Sequence, residues 1–418
     1  MVAFLALGIG LLARRWDLGA AEGDLEAAAR DYRAAGLPWT AADLARPLPK
    51  ASDAAPLILK ALDAMPGRAH LTLDARSADL DRCAPALRLA HAAAKRPAAD
   101  FRVDYDRGLG VKFRFASSGA ADGLTLAFAA RAARRATGGD DAGALADLED
   151  ARRLAGLVGS EPSVMGVLSG GACARNALSG AERCLAAAAA NPVRLARYRA
   201  WIAAPLPRPD AARAWRGEVY QAVAIARNLS REQLAGFLLP GLGIDPWRAA
   251  PVRPLRRTGL PEDPVARAFL ARCLRLNAEL ARATHGLSDP PARVTEAAQA
   301  IRRRAARDDG LSHALDDLLF VPLTLGGMQT QNEARRVVLL ALADALAIHA
   351  KTARWPTELA PPDPYAQGPL RCRLEGEGFR IWSVGPNGKD DGGWTRLKSH
   401  HVVVRLDDIV AAYPPAPR

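Results

Sequence analysis

The chain has 418 residues, of which half are hydrophobic and only 6% are aromatic, and its formal net charge is +12. This length suits two or three domains with a buried core, and the abundance of alanine favours helix. Because the arginines alternate with acidic residues and have no aromatic residues between them, we interpret the charge as solvated helix faces and expect no nucleic-acid partner.

The N-terminus carries an uninterrupted apolar run over residues 2–13, followed by Arg14 and Arg15. We predict a membrane anchor or signal remnant over residues 1–16, with a transmembrane helix and a location in the cell envelope, in a periplasmic-type space. A spanning helix needs about 20 apolar residues. The run therefore also fits an anchor that begins upstream, an interfacial anchor or a buried helix end. Arg14 and Arg15 alone would keep the following chain on the cytoplasmic face.

Residues 17–236 are predicted to form an α-helical body. The helical patterns at 124–137 and 142–158 are joined by the turn sequence Gly-Gly-Asp-Asp at 138–141. This hairpin resembles a tetratricopeptide unit, but the body has no clean 34-residue period, so we predict a degenerate array of helical hairpins. The sequence Leu-Ser-Gly-Gly at 168–171 predicts a kink or break in a helix.

The second half of the chain divides into three predicted parts. Residues 237–264 are rich in glycine and proline and predict a linker or long loop. Helical patterns continue over residues 265–330. Residues 331–418 are predicted to form a small C-terminal α+β module, so the fold class is mainly α with this module at its end.

The module begins with a helix over residues 331–351, where apolar side chains recur at helical spacing. Alternating apolar and polar residues then predict strands at 370–374 and 379–384, with a hairpin turn between them. A third strand is predicted at 402–404 or around Ile409. A long helix packed on a small antiparallel meander is the expected arrangement.

A loop rich in glycine and acidic residues follows the second predicted strand. Calcium takes six to eight oxygen ligands from carboxylates, amides and backbone carbonyls. Asn387, Asp390 and Asp391, together with the carbonyl of Val384, offer such oxygens among glycines that allow a tight turn. The alternative is a simple polar turn, because Asn-Gly and Asp-Gly are common turn sequences. Adjacent His400 and His401 would point to opposite faces of a strand, so we do not expect both on one ion.

The order of short motifs in this region resembles the C-terminal part of pseudopilins of type II secretion, especially the major pseudopilin. The motifs are Arg354-Trp355-Pro356, Asp363-Pro364-Tyr365, the Ser-x-Gly-x-Asn-Gly sequence at 383–388, and Asp408-Ile409. The resemblance implies that the loop binds calcium and that Asp408 joins the ligands. Two features depart from the family: Asn387 stands where Asp is usual, and the interval to Asp408 is longer.

The N-terminal layout resembles a group of large envelope proteins common in planctomycete-type bacteria. The apolar start, the Gly-Leu-Pro-Trp-Thr sequence at 36–40 and the Asp-Ala-Ala-Pro-Leu sequence at 53–57 carry this resemblance. In that group a helical body follows and a pseudopilin-like segment ends the chain. No known activity comes with the resemblance.

The sequence contains no phosphate-binding loop, no His-Glu-x-x-His and no Gly-x-Ser-x-Gly. The five cysteines are far apart and form no Cys-x-x-Cys pair, so we predict isolated, buried thiols on helices rather than a zinc or redox site. We therefore predict a non-enzymatic, envelope-associated scaffold that binds protein partners and has no small-molecule substrate. The alternatives are an envelope hydrolase with its site in the helical body and a basic nucleic-acid-binding protein.

Overall fold

The computed structural model describes most of the chain, and within these parts the protein is mainly α-helical with a small antiparallel sheet near the C-terminus. The predicted fold class is confirmed. The described residues are 18–44, 48–66, 72–101, 116–208, 210, 212–217, 219–220, 264–284, 291–308, 312–358, 361–393 and 408–414.

The first described helix, α1 (Leu18–Ala34), packs along α8 (Pro264–Ala283), which lies far away in the sequence. Leu25, at the middle of α1, is fully buried. A surface ion pair between Asp24 and Arg275 joins the two helices, with 2.5 Å between Oδ1 and Nη2. The N-terminal region is thereby fixed to a late part of the chain.

Two further helices, α2 (Ala55–Asp63) and α3 (Ser77–Ala94), pack on each other and on the helices that follow. Asp53 stands before α2, and its Oδ1 accepts the backbone N–H groups of Ala55 and Asp100 at 3.0 and 2.9 Å. One buried carboxylate thus accepts the first N–H group of α2 and holds the chain that leaves α3 beside it.

The centre of the body contains α4 (Ala116–Thr137), α5 (Asp141–Gly159), α6 (Val164–Ala188) and α7 (Pro192–Ala203). The turn between α4 and α5 has Gly139 at a φ of +84°, and the Asp140 side chain accepts the N–H of Gly143 to cap α5. This is the helical hairpin that the Gly-Gly-Asp-Asp sequence predicted. Many alanines in the shared core allow these helices to pack closely.

Helix α6 continues without interruption through residues 168–171, so the predicted break there is wrong. The glycines serve close packing instead. A Cβ on Gly170 would lie 2.6 Å from the Cα of Gly159, and one on Gly171 would lie 1.9 Å from the sulfur of Met328. Because Gly170 and Gly171 have no side chains, α5 and the last helix can approach α6 closely.

After α8 come α9 (Pro291–Asp308) and α10 (Ser312–Thr352), a helix of 41 residues. The C-terminal half of α10 packs on α6, on α7 and on the sheet. Helix α9 also packs against α10. The helix predicted at 331–351 is thus part of a longer element that begins within the helical patterns predicted over residues 265–330. This helix, α10, connects the body to the sheet.

The described sheet has strands β1 (Arg371–Glu375), β2 (Gly378–Ser383) and β3 (Ile409–Tyr413), all antiparallel, with β2 in the middle. A two-residue turn with Gly376 at a φ of +60° joins β1 to β2. The third strand lies at Ile409, one of the two predicted positions. The other, 402–404, lies outside the described residues.

The sheet is part of the main core. Buried Leu370, Phe379, Ile381 and Ala411 belong to one apolar cluster with buried side chains of α4 to α7 and α10. The carboxylate of Glu182 on α6 accepts the backbone N–H of Ala412 on β3 at 3.4 Å. The C-terminal strands therefore close one side of the helical body.

The predicted transmembrane helix is not found: none of the helices in the described part of the chain is long and apolar enough to cross a membrane. The longest, α10, carries charged residues at mid-length, including Glu333, Arg335 and Arg336. The N-terminal apolar run lies outside the described residues, as do residues 102–115 and nearly all of the predicted linker.

Candidate functional site

The predicted calcium loop follows β2 and occupies residues 384–393. Gly385, Gly388, Gly392 and Gly393 all have positive φ angles, between 65° and 74°, so the chain turns sharply several times. Two buried carboxylates, Asp363 and Asp408, hold the beginning and the end of this loop. The geometry of the site follows from these two residues.

Asp363 anchors the start of the loop. Its Oδ1 accepts the hydroxyl of Ser383 at 2.6 Å and the N–H of Tyr365 at 2.9 Å, while its Oδ2 accepts the N–H of Val384 at 3.0 Å. Asp363 was not among the ligands predicted from the sequence. Its turn was predictable, because an Asp before Pro that bonds the N–H two residues later is typical of a turn.

Asp408 anchors the end of the loop. Its Oδ2 accepts the N–H of Gly393 at 2.7 Å, and its Oδ1 accepts that of Asp391 at 3.3 Å. Burial raises the pKa of Asp408, the two N–H donors lower it, and the carboxylates of Asp391 and Asp390 raise it further. The longer interval before Asp408 does not keep this residue from the loop.

The exposed acids of the loop accept hydrogen bonds from their neighbours. The indole N–H of Trp382 donates to Oδ1 of Asp390 at 2.9 Å. The side-chain amide of Asn387 donates to Oδ2 of Asp391 at 2.9 Å, and its Oδ1 accepts the N–H of Lys389 at 2.9 Å. Each predicted side-chain ligand is therefore engaged by an N–H group.

This donor set does not fit calcium, which needs oxygens directed at a common point. Asn387 turns its NH2 group, not its oxygen, toward Asp391. Among the described residues, no group of three or more His, Cys, Asp or Glu side chains is placed to hold a metal ion. His400 and His401 lie outside the described residues.

A second polar site, which the sequence analysis missed, lies in the helical body. Nδ1 of His91 on α3 is 2.6 Å from Oδ2 of Asp150 on α5. The histidine side chain is 47% exposed, whereas the aspartate is buried. Burial raises the pKa of Asp150, and the hydrogen bond to His91 lowers it. The two residues are 59 positions apart in the sequence, and no motif indicated that they would meet.

Other buried charges of the body join helices to one another. Arg131 on α4 binds the carboxylate of Asp147 on α5 through two N–H groups, at 2.7 and 2.9 Å. Arg335 on α10 binds Glu182 on α6 at 2.8 Å. Such pairs compensate for the desolvation of each partner, because each charge faces its opposite.

The buried thiols are not activated. Cys83, Cys173, Cys184 and Cys273 are buried on helices, as predicted, and burial raises their pKa values, to about 12 for Cys173 and Cys273. Cys372 lies on β1 and is only partly buried, so the prediction of buried thiols on helices is wrong for this residue. Because the thiolate is the reactive form, these side chains act as small apolar groups in the core.

Comparison with protein-family models, with curated proteins and with solved structures finds no match for this chain. The resemblances to pseudopilins and to planctomycete-type envelope proteins therefore stay predictions from short motifs. The function has to be argued from the surfaces and contacts of the molecule itself.

Proposed function

We propose that this protein is a non-enzymatic scaffold that binds a protein partner through one apolar end of its folded body. The proposal rests on the positions of Val193, Ile348 and Leu374. They are the most exposed large apolar side chains of the described residues, with 65%, 43% and 61% of their surface accessible. We call these three residues the apolar end.

Packing of α7 against α10 brings the first two together. Arg199 on α7 pairs with Asp344 on α10, and Arg336 donates to the carbonyl of Ala203, so the helices are antiparallel. Val193 lies six residues before Arg199, or about 9 Å along the helix. It is therefore level with the last turns of α10, where Ile348 is exposed.

The sheet brings the third residue to the same end. Leu374 is opposite Phe379 in the β1–β2 register. The ring of Phe379 stacks on Trp355 with centroids 4.9 Å apart, and Trp355 stacks on His349 at 4.1 Å. The stack links Leu374 to the C-terminal end of α10, next to Ile348.

Basic side chains lie near two residues of the apolar end. Arg197 lies one turn beyond Val193 on α7, Lys351 follows Ile348 on α10, and Arg354 comes two residues after that helix ends; all three are exposed. Clustered exposed apolar residues within a polar rim are typical of interaction surfaces. A protein segment with apolar side chains and acidic neighbours is complementary to this one.

The body itself supports a scaffold more than an enzyme. Its buried acids Asp141, Asp147 and Glu182 are bound by arginines of neighbouring helices, and its buried thiols have raised pKa values. The His91–Asp150 pair is the observation that favours the alternative of a hydrolase, because a carboxylate on Nδ1 leaves Nε2 to take a proton. The envelope location stays a prediction.

Photo-crosslinking in cells tests the scaffold proposal. A photoreactive amino acid is placed at Leu374, at Val193 or, as a control, at Leu59, which is 40% exposed on α2. We expect the same discrete protein adduct from positions 374 and 193 but not from 59. Ile348→Glu should remove the adduct, because a carboxylate at the centre of the surface repels an acidic partner.

Equal adducts from all three positions, or none from 374 and 193, would contradict the proposal. So would turnover of chromogenic esters, phosphates or peptides by the purified protein that falls at least tenfold in His91→Gln. That second result would move the function to the His91–Asp150 pair.

A further inference from the structure

We propose that the C-terminal loop closes without a metal ion, because the amide of Asn387 takes the bridging position that a cation would otherwise need. The proposal rests on the hydrogen bonds of residues 384–393 and is independent of the proposed scaffold function. It also accounts for the disagreement between the loop and the calcium site that its motifs suggest.

The orientation of the Asn387 amide is fixed by its two partners. The backbone N–H of Lys389 requires an acceptor, which only Oδ1 provides, and the carboxylate of Asp391 requires a donor, which only Nδ2 provides. Both distances are 2.9 Å. The amide therefore joins the two sides of the turn between residues 387 and 391 by its own N–H group.

An aspartate at position 387 would change the chemistry of this contact. It would still accept the N–H of Lys389, but its second oxygen would face the carboxylate of Asp391 at hydrogen-bond distance. Two facing carboxylates repel unless a proton or a cation lies between them. Oxygen atoms of residues 387 and 391, with Asp390 beside them, are the ligand type that calcium prefers.

The rest of the loop is also closed by N–H donors. Trp382 donates to Asp390, and the guanidinium of Arg380 donates to the carbonyl of Gly393 at 2.9 Å. Asp408 accepts the backbone N–H groups of Asp391 and Gly393. These bonds hold the loop in shape around the 387–391 contact, so a single side chain decides whether the contact needs a cation.

Calorimetric titration of the full-length protein with calcium chloride tests this inference. The proteins compared are the wild type, Asp391→Asn, Asn387→Asp, and the variant that combines both changes. The matched control is Asn191→Asp, which adds the same charge where the Asn side chain caps α7 by accepting the N–H groups of Val193 and Arg194. An aspartate caps a helix equally well, so this control should fold normally.

We expect no calcium binding by the wild type or by Asn191→Asp at 1 mM calcium, about the upper range of known sites. Asn387→Asp should bind, and Asp391→Asn in that background should weaken binding at least tenfold. Binding by the wild type that Asp391→Asn weakens would overturn the proposal. Failure of Asn387→Asp to bind, with a folded protein by circular dichroism, would overturn it as well.

Discussion

Asp141, the first residue of α5, shows how a single buried carboxylate fixes one helix on another. Arg194 on α7 donates to it at 2.8 Å, and the hydroxyl of Tyr198 donates at 2.6 Å. The hydrogen bond from Arg194 lowers the pKa of Asp141, burial raises it, and the bond from Tyr198 lowers it again; the net direction is downward. The ionised form is therefore the one that the fold stabilises.

This direction sets a pH dependence. Because the pKa is lower in the folded state, Asp141 adds stability above the unfolded value of about 4, and this contribution is lost as the pH falls through the folded value. Asp141→Asn should reduce the free energy of unfolding by about 2 kcal/mol at pH 7. The difference from the wild type should shrink at pH 3, as measured by urea unfolding.

Asp344→Asn provides the comparison for Asp141→Asn. Asp344 and Arg199 are each more than 40% exposed, so their ion pair is screened by water. Its loss should cost less than about 1 kcal/mol at either pH. An equal cost for the two variants, or a pH-independent cost for Asp141→Asn, would show that the buried pair has no special role.

At the scale of elements, glycines decide how closely the helices pack. Gly170 lies on α6 where a Cβ would meet backbone atoms of α5 at 2.6 to 2.8 Å. A Cβ on Gly327, in the interior of α10, would meet no atom of the described residues within 4 Å. The same residue type therefore permits close packing at one position and only lowers helix propensity at the other.

Alanine substitutions at these two glycines should change the free energy of unfolding in opposite directions. Gly170→Ala should destabilise the protein by about 1–3 kcal/mol, because backbone on the facing helix cannot move aside as a flexible side chain does. Gly327→Ala should stabilise it by about 0.5–1 kcal/mol, since alanine favours helix. The midpoint of urea unfolding measures both. Tolerance of Gly170→Ala would mean that α5 and α6 can separate easily.

Sequence patterns predicted most helices and all the described strands, because their periods follow directly from which face is buried. They split α10 in two, since Pro322, Gly326 and Gly327 disfavour a helix at that point. Tertiary contacts decide otherwise: Met328 packs at Gly171, and Asn332 donates to the carbonyl of Gly171 at 3.1 Å. Local propensity could not include a partner 161 residues away.

The candidate site was predictable only in part. Glycines and acids indicated the loop, and the resemblance to pseudopilins implied that Asp408 joins it, but no signal placed Asp363 there. Composition could not show that Asn387 presents its NH2 group, since that depends on where Lys389 and Asp391 are placed by the turn. The His91–Asp150 pair arises from the packing of α3 on α5 and has no counterpart in sequence spacing.

At the scale of the whole molecule, a buried ion pair connects the body to the sheet. Glu182 binds Arg335 on α10 and also accepts the N–H of Ala412 on β3. Both charged side chains are largely buried, at 7% and 14% exposure. One carboxylate on α6 thus contacts two elements, α10 and β3, that come from distant parts of the chain.

Glu182→Gln should destabilise the entire protein by about 3 kcal/mol, because it removes the carboxylate that faces the buried Arg335. Adding Arg335→Met should recover most of this loss, since the second change removes the remaining buried charge. Urea unfolding followed by circular dichroism and by tryptophan fluorescence measures both variants. A double variant as unstable as the sum of the two single variants would contradict this coupling.

The 41-residue helix α10 and the core it shares with α6, α7 and the sheet also limit how this protein can change by recombination. A crossover near residue 331 would cut a continuous helix and separate Leu342 and Leu346 from the side chains that cover them. The C-terminal segment therefore depends on the helical surfaces on which it rests. We expect the loops and the exposed apolar end to accept sequence changes more readily than an exchange of the whole segment.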